Sequence, residues 1–235
     1  LINKKYMMNI DLTNIGIIER DTFRDCTSLK SVSVDDNSST KVNSKNTIDK
    51  KFIKQQCDKG LLENIVLPNS LTAIESNAFS GCKSLESVEI PANVMRVGAE
   101  VFINCKNLKT VVFKDNTTGA LMGKIVGEAM FLNCTSLKTV LLSNDLQKIE
   151  EQAFLDCTAL EQIEISENVK EIKDRAFSGC NSLKTIIVKR KIPPKLGGYV
   201  FPNLNIDIYV PQGCEKNYQN AKDWSVYASK IQPIS

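Results

Sequence analysis

Phenylalanine and cysteine recur together along this chain at a fixed interval, which constrains the fold more than any single residue does. Phe79 and Cys82 return as Phe102 and Cys105, Phe131 and Cys134, Phe154 and Cys157, and Phe177 and Cys180. The step is 23 residues, except between Phe102 and Phe131, where six more are added. A period of about 20 to 29 residues marks a solenoid, because a single unit of that size cannot bury its own apolar face and has to stack on copies of itself. The repeat is therefore the scaffold, and function has to be sought in whatever the repeat leaves free.

One uninterrupted copy, Ile74 to Val97, shows how a coil is built. Its apolar residues are Ile74, Ala78, Phe79, Cys82, Leu85, Val88, Ile90 and Val94. Val88 and Ile90 alternate with Ser87 and Glu89, the pattern of a strand with one buried face. Ala78, Phe79 and Cys82 have the spacing of one short helical or 3₁₀ turn with all three side chains inward. Pro91 and Asn93 end the strand in a turn. The strand pair repeats as Val32/Val34, Ile65/Leu67, Val88/Ile90, Val111/Phe113, Val140/Leu142, Ile163/Ile165 and Ile186/Val188, which counts seven coils. Translated copies pair their strands in parallel at ~4.8 Å, giving one sheet of roughly 30 Å or a little more. The leucine before each strand (Leu29, Leu62, Leu85, Leu108, Leu137, Leu160, Leu183) completes the inner column.

Polar positions repeat as well. Asn37, Ser70, Asn93, Asn116, Asp145 and Asn168 fall at one turn position, where a short polar side chain satisfies backbone groups. Lys30, Glu63, Glu86, Lys109, Lys138, Glu161 and Lys184 form a surface ladder of exposed charges, each pair worth well under ~1 kcal/mol.

The pattern falters in three places. Phe52 and Cys57 are five residues apart where the other coils have three, and before them residues 35–50 form a polar stretch expected to protrude as a loop. Residues 114–124 form a second insertion. After Val188 the repeat stops at Ile192-Pro193-Pro194 and Gly197-Gly198, a last strand is expected through Ile206, Ile208 and Val210, and Tyr218, Ala221, Trp224, Tyr227, Ala228 and Ile231 recur at helical spacing. That spacing predicts an amphipathic helix capping the open end of the core, as solenoids require. Ile10, Leu12, Ile15 and Ile18 suggest a degenerate first coil or the exposed end of a longer array. The expected organisation is one domain over 1–235, with a degenerate coil at 1–17, repeats at 18–188 and a capping region at 189–235.

Composition excludes several chemistries. There is no histidine, so catalysis by a Ser-His-Asp or Cys-His constellation and imidazole zinc sites are ruled out. Thirty basic and 27 acidic side chains leave a diffuse net charge of +3, which is not a nucleic-acid footprint. No apolar run reaches the ~18 residues of a membrane span. Asn3, Asn9, Asp11 and Asn14 interrupt the N-terminal stretch, which is not a signal peptide; because the chain opens on Leu1, we expect a mature or truncated form without its targeting segment.

Eight cysteines invite a redox or metal reading, but Cys26, Cys82, Cys105, Cys134, Cys157 and Cys180 hold one repeat position, and no CxxC pair is present. A buried column of small apolar side chains is the economical account. Cys57 and Cys214 fall outside it, and a disulfide involving them stays open. Gly119 to Ile125 resembles a phosphate-binding loop, but it is one residue short and lacks the hydroxyl after lysine, so it is read as part of the insertion. No catalytic, cofactor-binding or metal residues are assigned, and no cofactor is expected.

The outward strand position is the most informative remainder. It holds Ser33, Val66, Glu89, Val112, Leu141, Glu164 and Ile187, four of them apolar where water is expected. Val66, Val112, Leu141 and Ile187 are therefore the candidate partner-binding residues. The competing account, that β-branched residues simply favour strands or that an insertion covers them, stays open.

The phrases NAFSGCKSLESVEIP, QAFLDCTALEQIEIS and RAFSGCNSLKTIIV, and the C-terminal IYVPQGCEKNYQNAKDW, resemble BspA-like leucine-rich repeats of the Treponema pallidum type. The resemblance covers residues 18–231 and is departed from at the second coil and both insertions. It implies an α/β leucine-rich-repeat solenoid, displayed on a cell surface or secreted, whose associated role is adhesion or binding of a host extracellular-matrix or surface protein. The alternative is a structural spacer that displays another domain of a longer surface protein. An enzyme is not expected.

Overall fold

The computed structural model describes residues 9–11, 31–33, 62–67, 69, 71–116, 124–202 and 205–234. The irregular second coil, the loop expected at 35–50, Cys26, Cys57 and most of the phosphate-loop-like segment lie outside them. In chain order the strands are β1 (Asn9–Asp11), β2 (Ser31–Ser33), β3 (Asn64–Val66), β4 (Ala73–Ile74), β5 (Ser87–Ile90), β6 (Arg96–Val97), β7 (Thr110–Phe113) and β8 (Lys124–Val126). They continue as β9 (Thr139–Leu141), β10 (Leu146–Ile149), β11 (Gln162–Ile165), β12 (Glu171–Ile172), β13 (Thr185–Val188), β14 (Lys195–Leu196), β15 (Asp207–Val210) and β16 (Ile231–Pro233).

Each regular coil carries two short strands, and every pairing between coils is parallel, as stacked copies of one unit must be. On the principal side β1, β2, β3, β5, β7 and β9 form a six-stranded sheet, and β11, β13, β15 and β16 a four-stranded one. The single sheet expected from the repeat is thus divided between β9 and β11. On the second side β4 pairs with β6, while β8, β10, β12 and β14 form a further four-stranded sheet. Alternation works as the sequence implies: in β5, Val88 and Ile90 are buried and Ser87 and Glu89 exposed.

Phenylalanines stack along the core. Successive rings from Phe79 through Phe102, Phe131, Phe154 and Phe177 to Phe201 have centroids 5.0, 5.5, 5.2, 5.1 and 5.9 Å apart and planes within 22° of parallel. Coil spacing sets this offset-stacked geometry, so the side chain fixing one coil also fixes its neighbours.

The remaining side of each coil differs in detail from a helical turn. Backbone N–H groups do bond three residues back, as in Cys82 to Phe79 and Cys105 to Phe102, but left-handed residues interrupt the turns. Two columns have positive φ: Asn77, Glu100, Ala129, Gln152, Arg175 and Tyr199 at 47–61°, and Gly81, Asn104, Asn133, Asp156 and Gly179 at 60–73°. The second column carries only Gly, Asn and Asp, the types that tolerate this region best. The reason lies in the neighbouring coil. With these residues left-handed, the N–H groups of Asn77, Phe79 and Gly81 donate to the carbonyls of Ala99, Val101 and Ile103, and the same ladder runs through the later coils. A regular helix would spend those donors internally.

Close approach of the coils also fixes glycines on the second side. A Cβ on Gly98 would overlap the backbone nitrogen of Ser76, and one on Gly127 would lie 2.6 Å from the Gly98 carbonyl oxygen. Gly98→Ala is therefore expected to cost about 1–3 kcal/mol, seen as a lower urea midpoint with an unchanged m-value. A wild-type midpoint would show that the coils are not in this contact.

At the C-terminal end, helix α1 (Glu215–Asn220) stops where Ala221 becomes extended, a 3₁₀ turn follows at Ser225–Lys230, and Ile231 enters β16. The single amphipathic helix expected from Tyr218 to Ile231 is thus broken. The break lets Ile231 pair with Ile208 in the principal sheet and brings Trp224 Nε1 to 2.7 Å from the Pro194 carbonyl, to which it donates. Trp224 and Tyr227 then pack against Phe201, and Tyr218 packs against Trp224 while donating its hydroxyl to the Arg190 carbonyl at 2.6 Å. These aromatic rings are buried, with the polar atoms of Tyr218 and Trp224 hydrogen-bonded to backbone carbonyls, as suits the interior of a cap.

Candidate recognition surface

The outward positions of the principal sheet lie in one line. Glu89 pairs in register with Val112 and Val112 with Leu141; in the neighbouring sheet Glu164 pairs with Ile187 and Ile187 with Tyr209. Val66 and Leu141 are each 56% exposed, whereas Val112 and Ile187 are half-buried. Of the four sequence-predicted residues, the structure sets Val112 and Leu141 side by side, about 4.8 Å apart strand to strand. Val66 and Ile187 stand apart, each beyond a glutamate, and the residues at Ser33 and beyond contribute no described side chain.

The glutamates interrupting the stripe do not stand as bare charges. Glu89 is paired with Lys114 at 3.0 Å, and Glu164 with Lys189 at 3.4 Å, each lysine reaching across from the next coil. These pairs are exposed and contribute little to stability. Their effect is local: they pair the acids flanking Val112 and Leu141, so the patch is apolar at its centre with paired charges at its rim, the anatomy of a protein interface. Sequence reasoning overlooked Lys114, Lys189 and Tyr209. Tyr209 was findable, because it alternates with Ile208 and Val210.

The cysteine column has a clear structural role. Cys105, Cys134, Cys157 and Cys180 are fully buried, and their thiols donate to the carbonyls of Phe79, Phe102, Phe131 and Phe154 in the preceding coil at 3.1–3.2 Å. Burial pushes the Cys105 thiol up to about 12 and those of Cys134 and Cys157 well above the ordinary range. Since the thiolate is the nucleophile, these groups are inert near neutral pH. One member departs from the expected free-thiol column: Cys82 is in a disulfide, its partner outside the described residues, while Cys214 is free and half-buried. A thiol reagent at pH 8 should label Cys214 quickly and the four column thiols only on unfolding; rapid native labelling of the column would contradict this.

Turn asparagines behave as read from the sequence: Asn93 and Asn168 donate to the carbonyls of Asn69 and Asn144 at 2.8 and 2.7 Å. Asp145 does not. Its carboxylate faces Lys124 at 3.3 Å, and Lys124 also donates to the Lys114 carbonyl at 2.8 Å, so this lysine is buried and cannot serve a phosphate. Among the described residues, no group of three or more acidic or thiol ligands is placed to hold a metal, and no helix is long and apolar enough to cross a membrane.

The architecture is that of a parallel β-solenoid of about seven repeating coils with few helices. The sequence matches the BspA type leucine rich repeat region in six copies, over residues 3–120 and 122–224, and the chain belongs to that family. A leucine-rich repeat protein from Bacteroides ovatus is 26% identical, with a TM-score of 0.54 over 90% of this chain and 55% of that one. This chain thus spans about half the length of that protein. The T. pallidum leucine rich repeat protein is 22% identical, with a TM-score of 0.45 over 91% of this chain and 83% of that one. Among curated proteins none is significantly similar in sequence.

Proposed function

We propose that this chain is a non-enzymatic recognition module of a cell-surface or secreted protein, and that it binds a protein partner with the outward face of its principal sheet, extended by the inserted segments 35–50 and 114–124. The observation that carries this is the Val112–Leu141 pair, apolar, solvent-facing and framed by glutamates that lysines neutralise. Support for an extracellular setting comes from the family, whose repeats are associated with surface display and adhesion. Support for a binding role over a catalytic one comes from the absence of histidine and the burial of the column thiols.

Screening the chain against extracellular-matrix and host-surface proteins should give saturable binding to at least one. Changing Val112 and Leu141 together to Asp is then expected to weaken that binding at least about tenfold, because charge replaces the apolar centre where interface energy concentrates. The circular dichroism spectrum should stay unchanged, both side chains pointing away from the core. Full affinity in the folded double variant would remove this surface from the account.

A further inference from the structure

Among the described residues four polar or charged side chains are buried: Lys124, Ser143, Asp145 and Ser166. They gather in one region. Ser143 and Asp145 lie in the turn after β9, Ser166 holds the place of Ser143 one coil further on, and Lys124 opens β8 opposite Leu146. That register position is filled in other coils by Val94, Leu146 and Val169, so a lysine there replaces a core residue. The surrounding ladder is irregular too, with a register shift between Leu146 and Lys148 and the break in the principal sheet between β9 and β11. Irregularities of this kind cluster where a strand is re-aimed for a purpose.

The pairing is costly as an ordinary ion pair. Lys124 and Asp145 are only 3% and 6% exposed, and neither carboxylate oxygen accepts a hydrogen bond. A buried pair offsets its desolvation only when its remaining lone pairs are satisfied, and here they are not. We propose that Lys124 and Asp145 are joined by an amide bond formed within the folded chain. The ammonium passes a proton to the carboxylate, giving a neutral amine beside a carboxylic acid. The Nζ lone pair attacks Cγ and the Nζ–Cγ bond forms. The Cγ–O bond to the acid hydroxyl breaks, and that hydroxyl leaves as water with a proton taken from Nζ. No oxidant or other reactant is needed.

Two observations favour this reaction. The fold holds the amine 3.3 Å from a carboxylate oxygen of Asp145, with both side chains almost wholly shielded from solvent, which replaces a bimolecular condensation by an intramolecular one. The hydroxyls of Ser143, in the turn of Asp145, and of Ser166, in the equivalent turn one coil further on, are buried without a hydrogen-bond partner and are the type of donor that steadies a developing oxyanion. The product removes two buried charges and ties adjacent coils at the foot of the second insertion.

Mass spectrometry of the protein, purified folded and then reduced and denatured, tests the bond directly. The expected mass is below that of the sequence by one water molecule, with no tryptic cleavage after Lys124 and a branched peptide joining it to Asp145. K124M and D145A should each show their full sequence mass. A full sequence mass in the unaltered protein, with ordinary cleavage after Lys124, would overturn the proposal whether or not the variants fold.

Discussion

Phe154→Ala is expected to destabilise the protein by about 3–5 kcal/mol, the range for removing a buried aromatic ring from a close-packed core. Phe154 is fully buried and stacked on both sides, 5.2 Å from Phe131 and 5.1 Å from Phe177. Its loss removes two ring contacts and leaves a cavity between coils whose backbones are tied by the inter-coil N–H ladder, which limits collapse. Because each coil depends on its neighbours, the defect also weakens coupling between the two halves of the stack, so the urea transition should broaden as well as move. A shift worth less than ~1 kcal/mol would mean that the rings fill space without holding the coils together.

The second large effect is expected at the buried Lys124–Asp145 contact. Lys124→Met leaves Asp145 with a carboxylate deep in the protein and no partner, a change of about 3–5 kcal/mol. Combining it with Asp145→Leu should recover the part of that loss that comes from the stranded charge, and none of the part that comes from losing the link between the two side chains. A double-mutant cycle from urea unfolding measures the difference. Equal destabilisation of the single and double variants would show that the lost link and the packing around the lysine stem, rather than the stranded charge, set the cost.

Much of the scaffold was legible because its residues recur. Val88 and Ile90, Leu85, Phe79 and Cys82 each occupy a column whose members face the same way in every described coil, so one alternation repeated several times outweighs any local ambiguity. What escaped was set by contacts between coils. The left-handed turns were half visible, in the Gly, Asn or Asp before each cysteine; Glu100, Arg175 and Tyr199 in the other column carry no such signal, and only the neighbouring coil's carbonyls explain them. The cap helix was overdrawn because Ile231 keeps helical spacing while pairing with Ile208 in a strand.

The candidate surface was legible to a similar degree. Its apolar members follow from alternation within each strand, but their lysine-neutralised neighbours do not, because Lys114 reaches Glu89 and Lys189 reaches Glu164 only after the chain has completed a coil. Lys124 was hidden for another reason. It sits at the end of an insertion, where polar residues are expected to be solvated, yet the length of that insertion brings it into register with the inward column.

The central claim is that the repeat supplies an inert scaffold and that recognition occurs on the outward sheet face. Hydroxyl-radical footprinting of the chain with a captured partner tests this most directly, because exposed apolar side chains report their own covering. The account predicts that oxidation of Val112 and Leu141 falls on complex formation while Met95 and Ile192, exposed elsewhere on the solenoid, react as before. Unchanged oxidation of Val112 and Leu141, with protection at Met95 or Ile192, would contradict it.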